Sequence, residues 1–279
     1  IDKDSVLMNK KIEYTENIID PFLLECHIKP AQYIPINNEY DMEEINRIYS
    51  TTDKLLTEAR YPGCGKTTSH ILTKNVETTL FVTPHNALRQ DLKKQGVKSC
   101  TINKLMGIGI DGEKTGIREN LTGITTIVFD EIFLYKVSQL AMIKQMFREY
   151  ADIKYYATGD SYQNKPPDDY EYSDKYYKMI VNKLFPMRIL LKENKRIKET
   201  EERKKFYELF DRLRVVDDNP ETLIEIIESY FPIVTNLADM YLPGETDGEI
   251  VNVVYFNETA DKVNKELHPL HKQHGTDKY

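Results

Sequence analysis

Two stretches of this sequence hold residues able to handle a phosphorylated ligand: "TEARYPGCGKTT", residues 57–68, and "TIVFDE", residues 126–131. In the first, Gly63 and Gly65 let the backbone turn so that successive N–H groups face inward, and the helix that follows adds its positive dipole end. Lys66 is placed to neutralise the β and γ phosphates of a nucleoside triphosphate, and the Thr67 hydroxyl to hold Mg²⁺. Pro62 helps to fix the turn, and Cys64 and Thr68 complete the loop. Arg60 stands where the usual Gly-x-x-x-x-Gly-Lys-Thr pattern has its first glycine. By itself, the stretch also reads as a Gly-rich turn before a helix with an ordinary surface lysine.

The second stretch delivers Asp130 and Glu131 to the end of an apolar run. Triphosphate hydrolysis needs this division of labour: Asp130 to hold the hydrated Mg²⁺, Glu131 to orient or deprotonate the attacking water. An acidic strand end that only caps a loop would look the same. Two further residues complete the set. Gln163, in "ATGDSYQ", reads either as part of an Asp-stabilised turn or as a sensor of the γ phosphate. Arg196, in "LLKENKR", is either a surface charge or a cation for the phosphoryl transition state.

The elements that must position these groups alternate. "TLFVTP" is a strand, and "HNALRQDLKKQG" a helix stopped by Gly96. "SCTI" is a strand ending near Ile102. Residues 124–134, "ITTIVFDEIFL", read as a strand buried on both faces. "SQLAMIKQMFREY" is a helix, "IKYYATGD" a strand, and "SYQNKPPDDYEYSDKYY" an irregular excursion. "MRILLKENKRIK" returns to a strand, and two amphipathic helices follow in "TEERKKFYELFDRLR" and "PETLIEIIESYF". "EIVNVVYFNETADKVNKELH" is a strand and then a helix. This alternation predicts an α/β fold with a doubly wound parallel sheet, whose ligands sit at the carboxyl ends of the strands. The expected organisation is a segment without a readable motif over 1–50, a phosphate-loop lobe over 51–190, and connecting helices with the start of a second α/β lobe over 191–279.

Composition limits the alternatives. The chain has 279 residues, 40% hydrophobic and 30% charged, with no Trp and a formal charge of −7. That charge argues against coating nucleic acid by bulk attraction while leaving room for a local basic groove. No apolar run approaches the roughly 20 residues of a membrane span. Residues 1–10 do not read as a secretory signal, and the opening without Met suggests a segment of a longer chain. Cys26, Cys64 and Cys100 lack a Cys-x-x-Cys pair, which fits an intracellular setting and no zinc site. His268, His271 and His274 read as a polar tail.

Taken in order, these pieces resemble a superfamily 1 helicase motor, nearest to the RecD-like and viral members. "PGCGKTT" is similar to the family's phosphate loop, "TPHNALRQDL" to motif Ia, and "TINKLMG" to the element that usually reads Thr-Ile-His. "VFDEI" is similar to motif II, "GDSYQNKPP" to motif III, and "LKENKR" to the segment whose arginine touches the γ phosphate. "VVYFNETADKVNKELH" resembles the opening of a second RecA-like lobe. The resemblance covers about residues 55–268 and implies an ATP-binding P-loop NTPase with Mg²⁺. It also implies contact with single-stranded DNA or RNA through Thr83, Pro84, His85, Asn86, Thr101 and Asn103, although Thr83 and Asn86 also suit helix capping.

Three departures stand out: Arg60 for glycine, Asn103 for histidine, and no room before Tyr279 for the later motifs of a second lobe. They keep a second expectation open, a degenerate P-loop module that binds nucleotide or a protein partner without useful turnover. A small-molecule kinase would leave "GDSYQ" and "TPHNALRQDL" without a role.

Overall fold

Seven strands build the core: β1 (Gln32–Tyr33), β2 (Lys54–Ala59), β3 (Thr79–Thr83), β4 (Ser99–Thr101), β5 (Thr126–Phe129), β6 (Lys154–Gly159) and β7 (Met187–Leu191). They come from a computed structural model that describes residues 30–109, 119–162, 174–198, 200–216 and 220–230. The strands form one sheet in the order β1-β7-β2-β6-β5-β3-β4, and every pairing is parallel. Parallel neighbours need crossovers, and helices supply them. Between strands lie α1 (Met42–Thr51), α2 (Lys66–Thr73), α3 (Asn86–Lys94), α4 (Ile102–Met106), α5 (Val137–Glu149) and α6 (Asp174–Leu184), and α7 (Thr200–Val215) and α8 (Pro220–Tyr230) follow β7. The α/β, RecA-like P-loop architecture expected from the sequence is the one observed.

Side chains in the central strands divide between two cores with the period of two that a pleated strand imposes. Leu56, Leu80, Val82, Ile127, Phe129 and Tyr155 enter one core, while Leu55, Phe81, Val128 and Tyr156 enter the other. Both faces are therefore covered, which is why "TIVF" reads as continuously apolar.

Three stretches differ from the sequence reading. The strand expected over 124–134 ends at Phe129, because Glu131 takes a left-handed backbone, φ 54°, and turns the chain into a 3-10 turn at Ile132–Leu134. The excursion before β7 contains α6, whose buried Tyr177, Ile180, Val181 and Leu184 recur at helical spacing. The stretch 30–50, read as motif-free, adds edge strand β1 and helix α1, with Asp41 capping α1 by accepting the Glu43 and Glu44 N–H groups.

The chain divides into two compact units, Ile1–Tyr207 and Glu208–Tyr279. The sheet belongs to the first. In the second, the Arg212 guanidinium lies 5.6 Å from the Tyr230 ring centroid, joining the end of α7 to α8. Gln163, the histidines at 268, 271 and 274, and the strand and helix expected over 249–268 lie outside the described residues. Among the described residues no helix is long and apolar enough to cross a membrane, and no cluster of side chains is arranged to hold a metal by itself.

Candidate nucleotide site

The loop that leaves β2 is held from two sides. The Arg60 N–H donates to the Leu191 carbonyl at 2.7 Å, so the β2–β7 ladder continues through the position where a glycine was expected. The Arg60 Nε donates to the Tyr61 hydroxyl at 3.1 Å, and the guanidinium lies over that ring. Tyr61 in turn stacks on Tyr207 with centroids 4.3 Å apart. Arg60 does not take the positive φ that would call for glycine, so arginine fits here without that strain. Gly63 and Gly65 are different: both have positive φ, near 79° and 78°, and a side chain at Gly63 would collide with Asn194 and Arg196.

Those collisions identify a partner segment that the sequence reading only grazed. The turn after β7 packs directly on the phosphate loop. Its Asn194, 2% exposed, donates from Nδ2 to the Pro62 carbonyl at 2.6 Å. The Asn194 Oδ1 accepts the Arg196 and Ile197 N–H groups, and the Lys195 N–H donates to the Gly63 carbonyl at 2.9 Å. Arg196 is thereby brought against Gly63. Asn194 carried no motif signal of its own; its position just after a buried strand was the available clue.

Gly65 starts α2, and its carbonyl accepts the Ser69 N–H. The first two side chains of that helix reach the end of β5. Lys66 Nζ pairs with Glu131 Oε1 at 2.7 Å, and the Thr67 hydroxyl donates to Asp130 Oδ1, also at 2.7 Å. Strand β6 lies between β2 and β5, and its Thr158 hydroxyl donates to the same Asp130 oxygen at 2.6 Å. The Glu131 N–H donates to Thr158 in turn, at 3.2 Å. The left-handed Glu131 backbone, which costs on the order of 1–3 kcal/mol, aims its carboxylate at Lys66.

Thr67 and Asp130 offer two hard oxygens within one hydrogen-bond length, a donor set that fits a hard divalent cation such as Mg²⁺. Beside the loop is an open cleft of about 430 Å³ lined by Tyr40, Met42, Thr68, Leu72, Lys195 and Arg196 among others. Lys195 Nζ donates to the Glu39 carbonyl at 3.0 Å and lies 4.9 Å from the Tyr40 ring centroid. Cys64 is buried, and burial pushes its thiol up to about 11, so it is an inert wall and not a nucleophile.

The residues assigned to nucleic acid cluster at the carboxyl ends of β3 and β4 but differ in availability. Thr83 is fully buried, its hydroxyl donating to the His85 carbonyl. Thr101 accepts the Lys104 N–H and so caps α4. Pro84 is half-buried, whereas His85, Asn86 and Asn103 are exposed. The Asn103 Oδ1 accepts from Gln139 Nε2 at 3.0 Å, and Gln139 Oε1 accepts the Lys136 N–H. Gln139 is thus a neighbour of this edge that the sequence reading missed.

No family model matches the sequence, and comparison with curated proteins gives no match. Solved structures do. A pair of Pif1 helicases coordinating at forked double-stranded DNA matches with a TM-score of 0.53 and 14% identity, over 84% of this chain and 58% of that one. Pif1 helicase from Candida albicans matches with a TM-score of 0.50 and 17% identity, over 73% of this chain and 49% of that one. The chain therefore shares its fold with these helicases and spans about half their length.

Proposed function

We propose that this chain is the ATP-hydrolysing portion of a nucleic-acid translocase, nearest in motif wording to the RecD-like and viral superfamily 1 members. One observation carries the reading: Lys66 and Thr67 from the phosphate loop meet Glu131 and Asp130 from β5 across a single intervening strand. Lys66, with the loop N–H groups, binds the triphosphate. Thr67 and Asp130 would hold Mg²⁺, which would supply charge neutralisation of the β and γ phosphates. Glu131 accepts a proton from the attacking water, and Arg196, seated on Gly63, adds positive charge beside the transferred group. Gln163 is assigned to sensing the γ phosphate.

The exposed edge formed by His85, Asn86 and Asn103 is the proposed path of single-stranded DNA or RNA, with Pro84, Thr83 and Thr101 shaping it. The helicases of the same fold, one of them at forked DNA, support this assignment. We place the phosphate-loop lobe at 51–190 and the start of the second lobe within 191–279, in an intracellular protein. Phosphate release from Mg-ATP, measured with and without single-stranded nucleic acid, tests the coupling. Stimulation is expected. Nucleotide binding without any turnover would favour the degenerate module, a reading helped by the Lys66–Glu131 pair, which engages the lysine with a carboxylate at the end of β5.

A further inference from the structure

Beneath the phosphate loop lies a line of four buried polar side chains that the proposed chemistry does not use. Ser69 Oγ is 2.7 Å from the Lys66 carbonyl, Tyr49 Oη is 2.9 Å from Ser69 Oγ, Thr57 Oγ1 is 2.9 Å from Tyr49 Oη, and His70 Nε2 is 2.9 Å from Thr57 Oγ1. Each of the four residues is 2% exposed or less. Every hydroxyl owns one proton, and this fixes the direction of the line. A carbonyl only accepts, so Ser69 donates to Lys66. Ser69 then has no proton left for Tyr49, so Tyr49 donates to Ser69. By the same count Thr57 donates to Tyr49, and His70 must donate from Nε2 to Thr57.

The same count assigns the imidazole. His70 is the neutral tautomer with its proton on Nε2, and its bare Nδ1 is the buried nitrogen left without a hydrogen bond. Packing holds the line in place. The Tyr49 ring stacks on His70 at 4.3 Å with the planes 14° apart, and the Lys74 ammonium lies 4.4 Å from the Tyr49 centroid. Lys74, its own pKa pushed down to about 7 by burial, disfavours a second positive charge beside it, in keeping with a neutral His70.

We propose that His70, Thr57, Tyr49 and Ser69 are positioning residues for the phosphate loop, a one-way hydrogen-bond line that fixes the backbone of Lys66 from helix α1 and strand β2. The line ties together three elements of different sequence origin: α1 supplies Tyr49, β2 supplies Thr57, and α2 supplies Ser69 and His70. Because it ends on the lysine that faces the phosphates, its geometry sets where that side chain starts. This inference rests on the nucleotide reading for its functional consequence but not for its proton assignment.

The test uses the 279-residue chain, with Mg-ADP as the probe. Nitrogen-15 NMR of wild-type His70, assigned with His70→Gln, is expected to show the proton on Nε2. Thr57→Val keeps the shape and removes both contacts; it should weaken Mg-ADP by about fivefold, the worth of one net hydrogen bond. Thr57→Ser should restore the affinity. Ile143→Ala, a core change on the opposite face of the sheet, is the control for general destabilisation and should leave Mg-ADP affinity near wild type while the chain is folded. A proton on Nδ1 would overturn the line itself. Thr57→Val within twofold of wild type, failure of Thr57→Ser to rescue, or an equal loss in Ile143→Ala would overturn its positioning role. Wild-type protein that binds no Mg-ADP would overturn both that role and the nucleotide reading, with the NMR result still deciding the line.

Discussion

Glu131 faces the cation that a phosphate would occupy, and this gives the residue two separable effects. It keeps Lys66 close to the carboxyl end of β5, and on the proposed reading it would stand beside the attacking water once a ligand binds. Glu131→Gln retains the shape but removes the charge opposing the ligand. ATP turnover should fall by about 100-fold or more, as expected for loss of a general base. Mg-ADP affinity should rise by about threefold, because a partly screened ion pair no longer competes. A fall in Mg-ADP affinity would show that Glu131 supports the loop instead. Arg60 is the other residue on which the reading turns. Its backbone continues the ladder and its side chain is engaged by Tyr61, so Arg60→Gly should change Mg-ATP affinity by less than about tenfold. Nucleotide binding that appears only in Arg60→Gly would mean that the native arginine blocks the loop.

Helix α2 is the element on which both the phosphate site and the buried polar line depend. Burial, and secondarily the nearby Lys74, lowers the His70 pKa well below its usual value. The folded protein therefore keeps His70 neutral, while the unfolded chain binds its proton near pH 6.5. Stability contributed by this site is fully present above that pH and is lost as pH falls through it, since the unfolded state then holds more protons. The urea midpoint should drop between about pH 8 and pH 5.5, and His70→Gln should drop less over the same interval. An unchanged pH dependence in the variant would remove His70 from the account. None of this was visible in "TTSHIL", because His70 is surrounded by residues from α1 and β2 that lie far from it along the chain. By contrast, β3, α2 and α5 were legible from local signals: a short apolar run for β3, the glycines and Thr67 for the start of α2, and helical spacing for α5. The boundaries that failed have local physical causes. The apolar run through Leu134 hid a left-handed turn at Glu131, and the polar start of α6 masked its buried face.

At the scale of the molecule, the order of strands explains why separate stretches of sequence converge. Strand β6 sits between β2 and β5, so the loop after β2 and the acidic pair after β5 open at the same edge, where Asp130 accepts from both Thr67 and Thr158. Motif order predicted this meeting of Lys66 and Thr67 with Asp130 and Glu131. It did not predict that Asn194 would fasten the turn after β7 to Pro62, because that contact joins residues 132 positions apart without a recognisable pattern. The central claim is that this edge is a working triphosphate cradle with Lys66 as its principal cation. The most direct test is calorimetric titration of Mg-ATP into the wild-type chain and into Lys66→Ala. The wild type should bind, and the variant should lose at least about 10-fold to 100-fold in affinity, the range expected for a charged hydrogen bond to phosphate. Equal affinity in the two proteins would contradict the assignment of this loop to the phosphates.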